Sequence, residues 1–282
     1  MQQVQLSMGT IEYADEGSGP PVVLLHGLLM TPALWDGVLP RLPRGFRYLR
    51  PQLPLGAHRL PMDADADLSM DGLTRLLAEF LGALDLDDVT LVNTDWAGGL
   101  FLPARGLAER VGRMVILPCE AFDNFPPGLP GRVVDVACRL PGGLVLGARQ
   151  LRVGWLRRTP LLMGQMVKHG LSDELAQAWT EPLLSSPRIR DDLRRYVCSP
   201  FDPVRRVADT EALRGFDGEA LVLWSPENRV MPPAHGRRLA DLLPRGRLRE
   251  IPDAYVLSML DQPAAVAHEI GAFLTAARPA AA

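Results

Sequence analysis

Short uninterrupted apolar runs alternate along this chain with longer stretches in which apolar positions recur every three or four residues. The first kind reads as strands buried on both faces, the second as amphipathic helices. Residues 4–16 alternate loosely and break at "DEGSGP", which predicts opening strands and a turn. "PVVLLHG" reads as a central parallel strand and "FRYLRPQLP" as a weaker one. In "SMDGLTRLLAEFLGALDL", Leu73, Leu76, Leu77, Phe80, Leu81 and Leu84 fall at helical spacing, with Ser69 as N-cap. "VTLVNTD" and "VGRMVILPCE" are two further buried strands. Ala97, Gly98 and Gly99 predict a helix that starts almost directly after the first of these. The alternation calls for an α/β fold built on a parallel doubly wound sheet.

Past Phe122 the pattern breaks. Pro/Gly punctuation ("FPPGLPG", "LPGG") separates helical stretches such as "SDELAQAWTEPLLSS" and "RIRDDLRRYV", with no convincing strand before residue 200. "EALVLWSPE", "PAHGRRLADLLP", "RLREIPD" and "PAAVAHEIGAFLTAA" then resume as strand, helix, strand and helix. The organisation expected is a core of residues 1–124 and 201–282 interrupted by a helical cap at 125–200. The tail "RPAAA" is expected to fray.

With 47% hydrophobic residues over 282 positions, the chain can bury a large core. Its net charge of −3 argues against a strongly basic footprint for nucleic acid or anionic lipid. Cys119, Cys138 and Cys198 are widely spaced, with no CxxC or zinc pattern, so reduced thiols in a cytoplasmic protein are the plain reading. The N-terminal stretch lacks a basic and an apolar region of the secretory kind, and no apolar run is long enough to span a bilayer. No metal or cofactor is called for, and no nucleic-acid or membrane partner; the oligomeric state is left open.

One position resists a packing explanation. Asp95 stands between the apolar run of Val89, Leu91 and Val92 and the small residues Ala97, Gly98 and Gly99. It could simply cap a following helix. Together with "LLHG" before Trp35, "LPCEAFDNFPPG" and "IPDAYVLSMLDQP", however, "NTDWAGG" resembles a motif set of the α/β-hydrolase fold, in its haloalkane dehalogenase and epoxide hydrolase branch. The resemblance covers about 1–125 and 201–275.

The resemblance implies roles position by position. Asp95 falls on the family's nucleophile, and the backbone N–H groups of Trp96 and Leu28 on its oxyanion hole. The Trp96 indole matches a halide-holding group. Glu120 matches the acid that orients the histidine. The alternative acid position falls on Asn228, with Glu227 one residue out of register. Against the pattern I-P-x-x-G-H-F-x-x-x-D-x-P, the segment supplies Ile251, Pro252, Tyr255, Val256, Leu257, Asp261 and Pro263 without a gap. Valine at 256 therefore takes the place of the base.

The histidines themselves divide into groups. His26, in the oxyanion loop, is expected to be hydrogen-bonded and structural, and His235 and His268 to be solvated on helices. His58 and His169 could reach the cavity or be ordinary surface residues. Met30, Met163, Met166 and Met259 suggest an adaptable apolar lining, with core packing the plainer reading of each.

An ester formed on Asp95 would lack the base that normally releases it. The chemistry expected is therefore non-hydrolytic: isomerisation, epimerisation, cyclisation or elimination by proton transfer on an apolar or peptide-like small molecule, of the kind found in natural-product pathways. A hydrolase with a displaced base and a ligand-binding protein with a dead site are the alternatives.

Overall fold

The computed structural model describes residues 1–276; the tail "RPAAA" lies outside them. Eight strands form one sheet in the order β1-β2-β4-β3-β5-β6-β7-β8. The strands are β1 (Gln2–Leu6), β2 (Gly9–Gly17), β3 (Pro21–Leu24), β4 (Arg47–Pro51), β5 (Val89–Asp95), β6 (Val111–Cys119), β7 (Glu219–Trp224) and β8 (Gly246–Glu250). β1 pairs with β2, and β2 with β4, antiparallel; all later pairings are parallel. Every residue of β5 and of β7 is buried, which is why both read as continuous rather than alternating sequence. β8 is an edge strand, and Arg247, Arg249 and Glu250 blunt it against pairing with another chain.

Helix α1 (Met70–Ala83) begins where Ser69 accepts a hydrogen bond from the Gly72 N–H. Its apolar stripe packs inward, and the fully buried Phe80 meets Tyr13 edge-on with centroids 5.6 Å apart. Burying such a side chain contributes about 2–3 kcal/mol. α8 (Pro233–Leu242), α9 (Ser258–Asp261) and α10 (Pro263–Thr275) complete the core.

Between β6 and β7 lie α2 (Gly128–Arg139), α3 (Gly143–Leu151), α4 (Gly154–Arg157), α5 (Asp173–Ser185), α6 (Pro187–Val197) and α7 (Pro203–Glu211). The helices up to residue 200 are called the cap below.

The sheet order reverses at β3, which lies between β4 and β5. In open α/β sheets the crevice at the carboxyl ends of such strands is where ligands bind. Here the loops leaving β3 and β5 bring Leu28 and Asp95 together. The helix expected directly after β5 does not form. Two short 3-10 turns, Gly99–Phe101 and Pro103–Arg105, take its place. Gly98 is left-handed at φ 77°, and Pro103 has no N–H to give to the carbonyl four residues back.

Candidate active site

Asp95 ends β5 with φ at 45°, a left-handed conformation that is costly for a residue with a Cβ. The turn lifts its side chain out of the sheet. The carboxylate Oδ2 accepts a hydrogen bond from the Leu28 N–H at 3.1 Å. A Cβ on Gly27 would lie 2.1 Å from this same oxygen, so glycine there makes room for the acid. Gly99 similarly clears space for Asn93, whose Oδ1 a Cβ would approach to 2.8 Å.

Asp95 is almost completely buried. Burial raises its pKa to about 7, against the smaller opposing pull of the Leu28 and Trp96 backbone amides. Its side chain lines a cavity of about 80 Å³ between the sheet's carboxyl edge and the cap. The walls are apolar: Leu28, Met30, Trp96, Val134, Met163 and Met166 are among them. Among the described residues, Asp95 is the one ionisable side chain that lines this space.

A sequence model of the alpha/beta hydrolase family matches residues 22–269. The chain belongs to that family. A haloalkane dehalogenase of Mesorhizobium japonicum is 31% identical over 147 residues, which make up 50% of this chain and 47% of that one. A soluble epoxide hydrolase of a Corynebacterium species is 31% identical over 131 residues, 44% and 45% of the two chains. The match thus spans about half the length of these curated relatives. An uncharacterised protein of Mycobacterium tuberculosis is 25% identical over 279 residues, 94% of this chain and 78% of that one. Among solved structures, an alpha/beta hydrolase fold protein from Burkholderia ambifaria superposes with a TM-score of 0.76 at 23% identity, covering 97% and 96% of the chains. A mutant haloalkane dehalogenase from Agrobacterium tumefaciens also gives 0.76 at 23% identity, with coverages of 98% and 96%. At that identity the likeness is one of fold.

In this alpha/beta hydrolase the expected site residues part company. Leu28, Asp95 and Trp96 meet at the cavity, as do Met30, Met163 and Met166; Met259 is buried in α9 away from it. The Leu28 amide serves Asp95's own carboxylate instead of standing open for a substrate oxygen. Trp35 is fully buried and gives its indole N–H to the Leu25 carbonyl at 2.8 Å. Val256 is fully buried too, and Tyr255 donates its backbone N–H to Asp261 at 3.0 Å; neither lines the cavity.

All five histidines lie outside the cavity lining. His26 is held on both sides: Leu53 N donates to Nε2 at 2.9 Å, leaving Nδ1 to donate to the Gly27 carbonyl at 2.9 Å. Burial lowers its pKa to about 4, so it is neutral and structural. His58, which could have reached the cavity, is buried against Asp192 of α6 at 3.1 Å. His169 is half-exposed and pairs with Asp253 at 2.9 Å. His268 is exposed. His235 departs from the expectation of a solvated ring: it is half-buried with its edge on Phe122, and burial lowers its pKa.

Glu120, just after β6, is fully buried and outside the cavity lining, and neither carboxyl oxygen has a hydrogen-bond partner. Burial pushes its pKa well above the carboxylate range. The charge of Arg206 is the largest opposing influence, although the two make no ion pair within 4.0 Å. The nearby Glu120 and Gly98 amides pull the same way without reaching hydrogen-bond geometry. Arg206 is itself buried beneath the rings of Phe101, Phe125 and Phe201, at 4.6, 4.8 and 5.2 Å. The alternative acid positions are both committed elsewhere. Asn228 accepts from the Val230 and Met231 amides, and Glu227 pairs with Lys168 on the surface.

Sequence reasoning missed Trp179. It lines the cavity from α5, and its buried indole N–H has no acceptor. A tryptophan inside an amphipathic helix carries no sign of which way its N–H will face. No group of three or more His, Cys, Asp or Glu side chains among the described residues is placed to hold a metal.

Proposed function

We propose that this alpha/beta hydrolase-fold protein is an enzyme that moves a proton on a small apolar or peptide-like carbonyl compound without hydrolysing it. One observation carries the reading: among the described residues Asp95 is the sole ionisable side chain lining an apolar cavity, and its pKa is raised to about 7. A carboxylate so tuned is a far better base at neutral pH than an exposed one. Its Oδ2 is anchored by the Leu28 amide, and Oδ1 takes the proton from carbon. The electron pair moves onto the substrate oxygen. Return of the proton to another carbon on the same face completes an isomerisation, return after the enolate has turned over an epimerisation, and loss of a leaving group an elimination. The reading of an incomplete triad points the same way: by the sequence resemblance Val256 falls on the base position, and each histidine lies outside the cavity lining.

A second reading has its own support. A carboxylate anchored by one oxygen is also positioned to attack carbon, and curated relatives include proteins named as a haloalkane dehalogenase and a soluble epoxide hydrolase. That reaction would leave an ester on Asp95.

The experiment sets the two apart. A panel of enolisable apolar carbonyl compounds is incubated with the protein in D₂O, and haloalkanes, epoxides and esters are tested in parallel by intact-protein mass. Proton transfer predicts catalysed deuterium uptake that rises with pH through about 7. Asp95→Asn should abolish uptake and retain ligand binding. Steady turnover of a haloalkane or epoxide through a trapped Asp95 ester would sink the proposal, as would full exchange activity in Asp95→Asn.

A further inference from the structure

The chain's charge is unevenly distributed. Residues 128–168 hold seven basic side chains and one acid, Asp135, within a chain of net −3; Arg139, Arg152, Arg157 and Lys168 are paired with acids, which leaves three cations without an ion pair among the described residues. Large exposed apolar side chains concentrate in the same stretch. Of the nine among the described residues, seven fall between Leu129 and Leu161. Val136, Leu140 and Leu146 are more than half exposed, and Trp155 is 72% exposed, while the other four tryptophans are buried. Interleaved with them, Arg132, Arg149 and Arg158 are exposed and form no ion pair among the described residues. Leucine and tryptophan side chains alternating with unpaired arginines are what an anionic lipid interface selects.

We infer that the exposed face of α2–α4 and the segment to Leu161 docks on an anionic membrane surface, with Trp155 and the leucines entering the interface and the three arginines meeting lipid phosphates. Long arginine stems can lie along the apolar layer while their guanidinium groups reach the headgroups. A second copy of the chain fits the face poorly, because a two-fold contact would bring two copies of the same positively charged patch together. Leu161 belongs both to this exposed set and to the cavity wall, so an apolar compound dissolved in the bilayer would meet the cavity where the cap touches it. The whole-chain charge, from which no membrane partner is expected, conceals this local excess. Docking does not depend on what Asp95 does, and its test needs no turnover.

The full chain is mixed with phosphatidylcholine vesicles with and without phosphatidylglycerol, and binding is read by co-sedimentation and by tryptophan emission with brominated lipid as quencher. The expected result is salt-sensitive binding to the anionic vesicles alone, with quenching that disappears in Trp155→Phe. Replacing Arg132, Arg149 and Arg158 together by glutamine should weaken partitioning by about 10²-fold, at about fivefold per arginine near a charged surface. The salt dependence of the unmodified protein tests the same point without relying on any variant's folding. No binding to anionic vesicles at low salt would overturn the inference. So would equal binding to pure phosphatidylcholine, or a concentration-dependent dimer with no affinity for lipid.

Discussion

Asp95 combines three unfavourable features: a left-handed backbone, a buried carboxylate and a neighbour that must be glycine. Its stability cost has a defined pH dependence. In the unfolded chain the group ionises near 3.8, and in the folded chain only near 7. Between these values the native state holds a proton that the unfolded state has lost, so stability falls as pH rises and then levels off. The penalty is on the order of 4 kcal/mol above pH 7. Asp95→Asn should therefore raise Tm at pH 8 and leave it nearly unchanged at pH 4. A substitution that destabilises equally at both values would mean that the carboxylate is satisfied by contacts other than those described. At this scale the acid itself was legible, because a polar side chain ending an apolar run has no packing role. Trp179 was not, and neither was the partner of His58, since Asp192 lies 134 positions along the chain.

Elements show a similar division. β3, β5, β6 and β7 could be read directly because burial on both faces leaves short, mainly apolar runs without a polar alternation. α5 and α6 were legible as helical stretches, and the structure adds their serine caps at Ser172 and Ser186. α2 was obscured because Leu129, Val136 and Leu140 are apolar yet face outward, which blurs its periodicity. The turn after Asp95 was read as a helix because its glycines suit a tight start; the left-handed Gly98 and the missing N–H of Pro103 break that helix instead. Between elements, α6 is fastened to the core by Asp192. This residue pairs with His58 Nε2 and accepts the Met62 N–H at 2.9 Å, with both paired side chains 4% exposed. Removing Asp192 takes the acceptor from the buried His58 Nε2 and the Met62 amide, a loss of about 3–5 kcal/mol, whereas removing His58 leaves Asp192 its contacts with the Met62 amide and with Arg195. Asp192→Ala should lower the thermal midpoint by several degrees or more, and His58→Ala by less, with the double variant well short of additive. Additive losses would show that the two do not work as a unit.

For the whole molecule, the alternation of strand and helix and the break after Phe122 were visible as a rhythm of elements, whereas the strand order and the closeness of the cap to the sheet were not. The cap is pinned at two places. Asp192 holds α6, and Asp261 holds the segment before α5, accepting the Lys168 and His169 amides at 3.0 and 2.9 Å and the Tyr255 amide at 3.0 Å. Asp261 also keeps the turn around Val256 in shape.

These two pins bear on time as well as place. A cavity of about 80 Å³ is smaller than the roughly 150 Å³ that holds benzene in an engineered protein core. Any larger ligand enters only while the cap is open. With α6 and residues 168–169 anchored, the opening falls to the stretch between Gly128 and Met163, whose outer face is bare of packing. Amide hydrogen exchange should be faster through α2–α4 than through α6 by an order of magnitude or more. Association would then be paced by that local opening, well below the diffusion limit and nearly independent of which ligand waits outside. Uniform protection across the cap would mean that it lifts as one body.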